Sequence, residues 1–203
     1  MLHYKPQIIV DKLERLLPKL YGQATLKPEL VREVNLGPFT HKVDEGLDTR
    51  KAAYGCMDRL VQRVPGHIEP NAFLERLGAG LQDESDVRQT CHIILQRLPS
   101  AEAFRQPLLG RLDGLMEPLR KTIFARLKND AVKQEVDRHD DLVRSGMRAI
   151  ASLERMPGSD GCVQFKELLD AIKQSDQKER FLSIRSELDS PASASAITSG
   201  GSA

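Results

Sequence analysis

One short stretch of the sequence departs from the apolar spacing of the rest and limits the folds that the chain can adopt. Most of the chain places apolar residues three and four apart, which is the period of an amphipathic helix. In the stretch that begins at Val31, the residues Val34, Leu36, Phe39, His41 and Val43 follow the two-residue period of a strand, interrupted at Gly37-Pro38. This pattern predicts a β-hairpin or folded loop inside an otherwise helical chain. Such an isolated projection favours contact with a partner.

Composition and charge exclude several classes of protein. The 203 residues carry a formal net charge of +1, with both signs interspersed, which argues against a dedicated nucleic-acid or membrane surface. The cysteines Cys56, Cys91 and Cys162 form no CxxC pair, as is typical of a reducing compartment. No apolar run approaches the roughly 20 residues that cross a bilayer, and charges inside the first apolar pattern exclude a secretory signal. We expect a soluble intracellular protein.

The helical pattern around the predicted hairpin gives the first elements. A helix is expected over Pro6–Leu20, and Pro18 should kink or end it because proline lacks a donor and clashes with the preceding turn. A short turn should begin near Pro28, which suits a first helical position. The apolar face of the first helix consists of Ile9, Leu13, Leu16, Leu17 and Leu20.

A repeat follows the hairpin. Asp48 is interpreted as the cap of a helix that Pro65-Gly66 ends, and a second helix is expected around Asn71–Leu81. The Asp48-Thr49-Arg50 pattern recurs 38 residues later as Asp86-Val87-Arg88, and a third copy is expected at Asp141. Two helices per unit, an Asp in the turn and a basic residue after it are typical of HEAT or armadillo repeats. The prediction is an all-α, HEAT/armadillo-like α-solenoid with one protruding β-hairpin.

The remaining segments complete the predicted organisation. A helix is expected over Leu108–Phe124, kinked at Pro118, and two shorter ones over Val163–Ile172 and Phe181–Leu188. Residues 1–189 should form one HEAT-repeat domain with the hairpin near 33–46, and residues 190–203, rich in Ser, Ala and Gly, should be a disordered tail. Because the first helix is strongly apolar, we expect the chain to be the terminal piece of a longer array.

Long stretches of the sequence resemble one family, the C-terminal domain of the cullin-associated, neddylation-dissociated proteins, also called TATA-binding-protein-interacting proteins. The resemblance covers roughly Lys5 to Leu153 in the family's order and fades afterwards. It is carried by the runs LLPKLYGQATLKPELVREVNLGPFTHKVDEGLDTRKAAYGCM, GLQDESDVR, RLDGLMEPLRKT and NDAVKQEVDRHDDLVRSGMRAIASL.

The resemblance implies a HEAT-repeat scaffold that wraps the cullin subunit of cullin–RING ubiquitin ligases, acts as an exchange factor for substrate receptors, and is found in cytoplasm and nucleus. In this family a protruding hairpin competes with the adaptor at the cullin's N-terminal region. The family's N-terminal repeats are missing from this sequence, so we do not expect the chain alone to block cullin modification. The residues that match the family's hairpin are Glu33, Val34, Asn35, Leu36, Gly37, Pro38, Phe39, Thr40, His41, Lys42 and Val43.

Within the hairpin, Leu36 and Phe39 near the tip are the expected anchors, with His41 and Lys42 as rim contacts. The alternative hypothesis is that the hairpin is a structural connector between two helices and contacts no partner. Elsewhere the pattern predicts structural roles. Cys56 and Cys91 fall on apolar stripes and are interpreted as core residues, and the three repeated aspartates as turn and cap residues.

Neither catalysis nor a cofactor is predicted. No nucleophile has an adjacent base, and no glycine-rich loop precedes a helix. The histidines His3, His41, His67, His92 and His139 show no metal-ligand spacing. The resulting hypothesis is a non-catalytic cullin-binding scaffold. Its rival is a general HEAT-type scaffold with an unrelated partner and an incidental hairpin, and a role through the TATA-binding protein is a third, weaker hypothesis.

Overall fold

The structure is a computed structural model that describes residues 6–37, 39–128 and 130–189. The predicted tail over 190–203 lies outside these residues. The chain divides into two compact units between Leu108 and Leu109, inside one helix. The single domain predicted over 1–189 stays a prediction, and each unit is described separately.

The described part of the first unit contains α-helices, one-turn 3-10 helices and one hairpin. Its elements are α1 (Pro6–Val10), α2 (Leu13–Gln23), β1 (Val31–Leu36), β2 (Phe39–Asp44), α3 (Leu47–Arg63), α4 (Pro70–Gly80) and α5 (Ser85–Arg97). One-turn 3-10 helices lie over Pro28–Leu30, Pro65–His67 and Leu98–Ser100, each beginning at or just before a proline. The helix α6 (Glu102–Ile123) contains the division between the units.

The core of the first unit lies along α3, α4 and α5. Their apolar stripes are fully covered: Tyr54, Met57, Phe73 and Leu95 are all at 0% exposure. Phe73 meets Phe104 edge-on, with ring centroids 5.2 Å apart, a geometry that aromatic pairs prefer. Burying such residues accounts for most of the stability of an amphipathic helix, since isolated helices of this length are marginal in water.

The second unit contains α7 (Lys133–Glu154), α8 (Val163–Lys173) and α9 (Lys178–Asp189). The N-terminus of α8 is capped by a residue from another helix: Asp113 Oδ1 accepts the amide hydrogens of Gln164 at 3.0 Å and Phe165 at 3.2 Å. Ion pairs join α7 to α9, with Glu187 accepting from Arg144 and Arg148. These exposed pairs contribute little stability individually.

These elements confirm the predicted all-α, HEAT-like fold class with one β-hairpin. The predicted helices over Asn71–Leu81, Val163–Ile172 and Phe181–Leu188 match α4, α8 and α9 within a few residues.

The expectation that Pro18 ends the first helix was wrong, and the alternative that Pro18 kinks it stays a prediction. The interruption falls at Asp11 and Lys12, and α2 continues through Pro18 to Gln23. Glu14, whose carbonyl Pro18 cannot pair, is exposed, so water can solvate that group. The later helix likewise begins earlier than predicted, at Glu102, and continues through Pro118.

The repeated aspartates do not cap their helices. Gly46 occupies the N-cap of α3, while the Asp48 side chain is 97% exposed. Asp86 lies inside the first turn of α5, and its Oδ2 is 2.9 Å from Lys51 Nζ. Asp141 lies in the middle of α7, exposed, so no helix begins there. The cap reading failed because it placed each helix start at the Asp, and the helices begin earlier.

Candidate functional site

The hairpin is the element that the sequence singled out, and the structure confirms it as two antiparallel strands. Glu33 pairs with Lys42, Asn35 with Thr40 and Leu36 with Phe39. The Thr40 hydroxyl donates to Asn35 Oδ1 at 2.9 Å, which adds a cross-strand bond to the ladder. The pair Val31 and Asp44 forms the base of the hairpin. Between these two residues, none of the described side chains is buried, and the apolar Val34 and Val43 are 40% and 44% exposed.

The turn of the hairpin depends on a glycine. Gly37 has a φ of +65°, a left-handed conformation that side chains with a Cβ rarely adopt. Pro38 and the side chains of Leu36, Phe39 and His41 lie outside the described residues, so the predicted anchors at the tip stay predictions. The base of the hairpin is fully described.

The base is held by a buried arginine. Arg50, on α3, is 1% exposed and lies between two carboxylates. Its Nη2 and Nη1 donate to the Asp44 oxygens at 2.8 and 3.1 Å, and its Nε and Nη2 donate to the Asp83 oxygens at 2.8 and 2.7 Å. Paired, planar bonds of this kind are the strongest that a guanidinium makes. They tie the end of β2 to α3 and to the turn before α5.

The same arrangement shifts the charges of its members. Hydrogen bonds from Arg50 hold the pKa of Asp44 below its ordinary value of 3.8. Those to Asp83 and then Asp44 raise the pKa of Arg50. Gly46 donates its amide to Asp44 Oδ1 at 2.9 Å, and a Cβ there would lie 3.1 Å from Leu30 Cδ1. The close approach explains why glycine suits this position.

Comparison with known proteins identifies the family. The family model described as "TATA-binding protein interacting (TIP20)" matches residues 8–173, most of the chain. The chain belongs to this family. The match confirms the resemblance read from the sequence.

Relatives of this chain share its sequence closely over a small part of their own length. It is 46% identical over 187 residues to Cullin-associated NEDD8-dissociated protein 1 of Arabidopsis thaliana, covering 91% of this chain and 15% of the relative. The figures for the protein of the same name from Dictyostelium discoideum are 40%, 91% and 15%. A protein of Emericella nidulans named "Cullin-associated NEDD8-dissociated protein 1, C-terminal part" is 34% identical over 137 residues, covering 68% of this chain and 13% of the relative.

The prediction that both Cys56 and Cys91 are core residues holds for one of the two. Cys91 is buried at 0% exposure, as expected of a core residue, and burial raises the pKa of its thiol. Cys56 is exposed, so the prediction that it lies in the core was wrong. On α3 the core-facing stripe consists of Ala53, Tyr54, Met57, Leu60 and Val61, and Cys56 lies beside it.

Sequence reasoning missed the residues that hold the hairpin. Asp44, Arg50 and Asp83 were not singled out as a group, although Arg50 was noted as the basic residue after a repeated aspartate. That recurring arginine is the available signal, since a charge at a repeated position next to an apolar stripe needs a partner when buried. The partner Asp83 lies 33 residues away in sequence, and no local spacing reveals it.

Within residues 6–37, 39–128 and 130–189, none of the helices combines the length and the apolar composition of a membrane-spanning segment. In the same part of the chain, no group of three or more His, Cys, Asp or Glu side chains is arranged to hold a metal ion.

Proposed function

We propose that this chain is a non-catalytic cullin-binding scaffold and a substrate-receptor exchange factor of cullin–RING ubiquitin ligases. It would compete with the adaptor at the cullin's N-terminal region, in cytoplasm and nucleus. Family membership and the names of the relatives, "Cullin-associated NEDD8-dissociated protein", support the cullin as partner. The chain spans about 15% of the first relatives' length, so the proposal concerns only the part of a relative that this chain matches.

The observation that carries the proposal is an exposed hairpin whose base is fixed. The hairpin extends from an anchored Asp44, and its described side chains beyond the base are exposed. Strand alternation assigns positions 36 and 39 to the same face as Val34 and Val43. These four apolar positions form a strip along a face that also carries Arg32 and position 41, and exposed apolar groups tend to mark a partner contact. We propose that this strip excludes the adaptor by occupying the same region of the cullin.

Exchange requires more than exclusion. The adaptor and this chain would have to bind the cullin together briefly and weaken each other, which is a coupling free energy between two sites. That coupling is reciprocal: the factor by which the adaptor weakens this chain equals the factor by which this chain weakens the adaptor. Weakening that levels off at high adaptor concentration indicates exchange through a joint complex, whereas in simple competition no joint complex forms and the weakening does not level off.

The test is a binding titration against an unmodified cullin–RING complex, with and without its adaptor. We expect binding that the adaptor weakens. Binding indifferent to the adaptor would keep the cullin as partner but contradict the role of the hairpin. An absence of binding to any cullin tested would favour the rival, a general HEAT-type scaffold with another partner. The TATA-binding protein, named in the family's description, then becomes the next protein to titrate.

Hairpin variants locate the contact. Leu36→Asp with Phe39→Asp, and separately Val34→Asp with Val43→Asp, should weaken competition with the adaptor by at least about tenfold while circular dichroism shows unchanged helix content. If the double variants are unfolded, the hairpin is structural.

A matched control uses apolar residues away from the hairpin. Val132 and Val163 are each 62% exposed and lie at helix N-termini, where an aspartate is favourable. Val132→Asp with Val163→Asp adds the same two charges and should leave competition unchanged. Equal weakening by this control would mean that added charge, rather than the hairpin, accounts for the loss.

A further inference from the structure

A cleft lies beside the base of the hairpin in the first unit. Its volume is about 800 Å³. The walls come from the segment after α2, the polar side of the hairpin, α3, α4, and the start of α5 with the turn before it. Leu26, Val31 and Ala79 supply an apolar part of the wall, and Lys42, Arg76 and Arg88 supply positive charge.

Among the described residues of the wall, two of the three acidic side chains are already engaged by Arg50. Both carboxylate oxygens of Asp44 and both of Asp83 accept from Arg50. Asp83 Oδ1 also accepts the amide hydrogen of Glu84 at 2.7 Å. Only the exposed Glu84 carboxylate remains against three further cations, so the cleft has an excess of positive charge beyond the Arg50 cluster.

The Nε atoms of Arg76 and Arg88 are buried and have no hydrogen-bond partner among the described residues. A donor removed from water without an acceptor costs free energy, and more when it carries charge. An acceptor group that enters the cleft would recover that cost, which makes both guanidinium groups strong candidates for binding an anion.

The repeat places two arginines at equivalent positions beside the cleft. Arg88 lies 38 residues after Arg50, at the matching position of the recurring Asp-x-Arg pattern. Arg50 is saturated by two carboxylates from its own chain. Its equivalent Arg88 lines the same cleft without such a pair among the described residues. The two carboxylates bound by Arg50 therefore indicate the kind of ligand that suits Arg88.

We propose that this cleft binds an acidic peptide segment of a partner protein, whose carboxylates pair with Arg76 and Arg88. An apolar side chain next to those carboxylates packs against Leu26 and Val31. The cleft is much larger than a single phosphate and carries an apolar wall, both of which favour a peptide. The proposal does not depend on the identity of the partner or on competition at the hairpin.

The probe is a fluorescently labelled peptide rich in glutamate and leucine, titrated with the full chain and followed by fluorescence anisotropy. Its counterpart has glutamine in place of every glutamate. We expect the acidic peptide to bind and the glutamine peptide to bind at least about tenfold more weakly, because hydrogen bonds between charged groups are stronger than those to a neutral amide. Arg76→Gln and Arg88→Gln should each weaken the acidic peptide about tenfold.

The control variant is Arg59→Gln, which removes one positive charge from an exposed position of α3 outside the cleft. It should leave the affinity unchanged. The proposal is overturned if the wild-type chain binds neither peptide, or if Arg59→Gln weakens binding as much as the cleft variants. It is also overturned if inorganic phosphate displaces the acidic peptide at a concentration comparable to that of the peptide. Circular dichroism on each variant confirms that it is folded, and either cleft variant alone suffices for the comparison.

Discussion

Replacing the buried Arg50 with methionine should be among the most damaging single changes in the first unit. The substitution keeps an unbranched side chain of similar length but removes the cation shared by Asp44 and Asp83, whose side chains are 15% and 11% exposed. Breaking a buried pair by removing one partner costs about 3–5 kcal/mol, because the remaining charge stays buried and uncompensated. The partial exposure of both carboxylates favours the lower end, so we expect the free energy of unfolding to fall by about 3 kcal/mol.

The measurement is urea-induced unfolding followed by circular dichroism, with free energies from linear extrapolation. The matched control is Arg97→Met, because Arg97 Nε donates to Asp58 at 2.8 Å from a side chain that is 40% exposed. That half-exposed pair should cost only about 0.2–1 kcal/mol. If Arg50→Met costs no more than Arg97→Met, the buried cluster does not stabilise the unit and the reasoning is refuted.

A local measurement separates anchoring of the hairpin from general stability. Hydrogen exchange at residues 31–44 should accelerate in Arg50→Met more than exchange in α7–α9, since the lost bonds tie β2 to α3. Arg50→Lys keeps the charge but lacks the planar fork that pairs with two carboxylates, so it should fall between wild type and Arg50→Met. Uniform acceleration throughout the chain would contradict the anchoring role.

Two further changes have clear expected outcomes. Gly80→Ala should destabilise by about 1–3 kcal/mol, because its Cβ would lie 2.5 Å from the Cys91 sulfur and the buried Tyr54 ring, whereas Gly114→Ala, with open space, should stabilise by about 0.5–1 kcal/mol in the same urea assay. Burial lowers the pKa of His92 from 6.5 to about 3, so its stability contribution is complete above pH 6.5 and falls on acidification. Unfolding at pH 5 should therefore require about 2 kcal/mol less than at pH 7, and His92→Met should flatten that difference.

The features that the sequence predicted well depend on local periodicity. The two-residue spacing across Val31–Val43 and the glycine at its turn are contained in a dozen neighbouring residues, and the hairpin appears where they predict it. The helix end next to Pro65 was likewise readable, because proline acts on its own turn. Pro18 shows the limit of that rule, since an exposed helix can carry a proline when water solvates the carbonyl left unpaired.

What the sequence could not predict depends on residues far apart in the chain. The assignment of Asp48 as a cap failed because capping is decided by backbone geometry at one residue, and the helix begins at Leu47. The acidic residues that matter, Asp44 and Asp83, lie outside the repeated pattern and meet at Arg50 only when α3, α4 and the hairpin pack. A repeated arginine indicates that a partner is needed but not which carboxylate supplies it.

The buried cluster and the proposed partner contact are connected by the energetics of binding. An isolated two-stranded hairpin is marginally stable in water, and ordering it on binding would oppose association. Here the base is fixed by Arg50, by the 2.7 Å pair of Arg32 with Glu45, and by the Glu45 amide bonded to the Leu30 carbonyl at 3.0 Å. Because the hairpin is already ordered, the strip that it presents would bind without a further loss of conformational entropy. Loosening the base through Arg50→Met should therefore weaken the proposed cullin contact even though Arg50 is too buried to touch a partner.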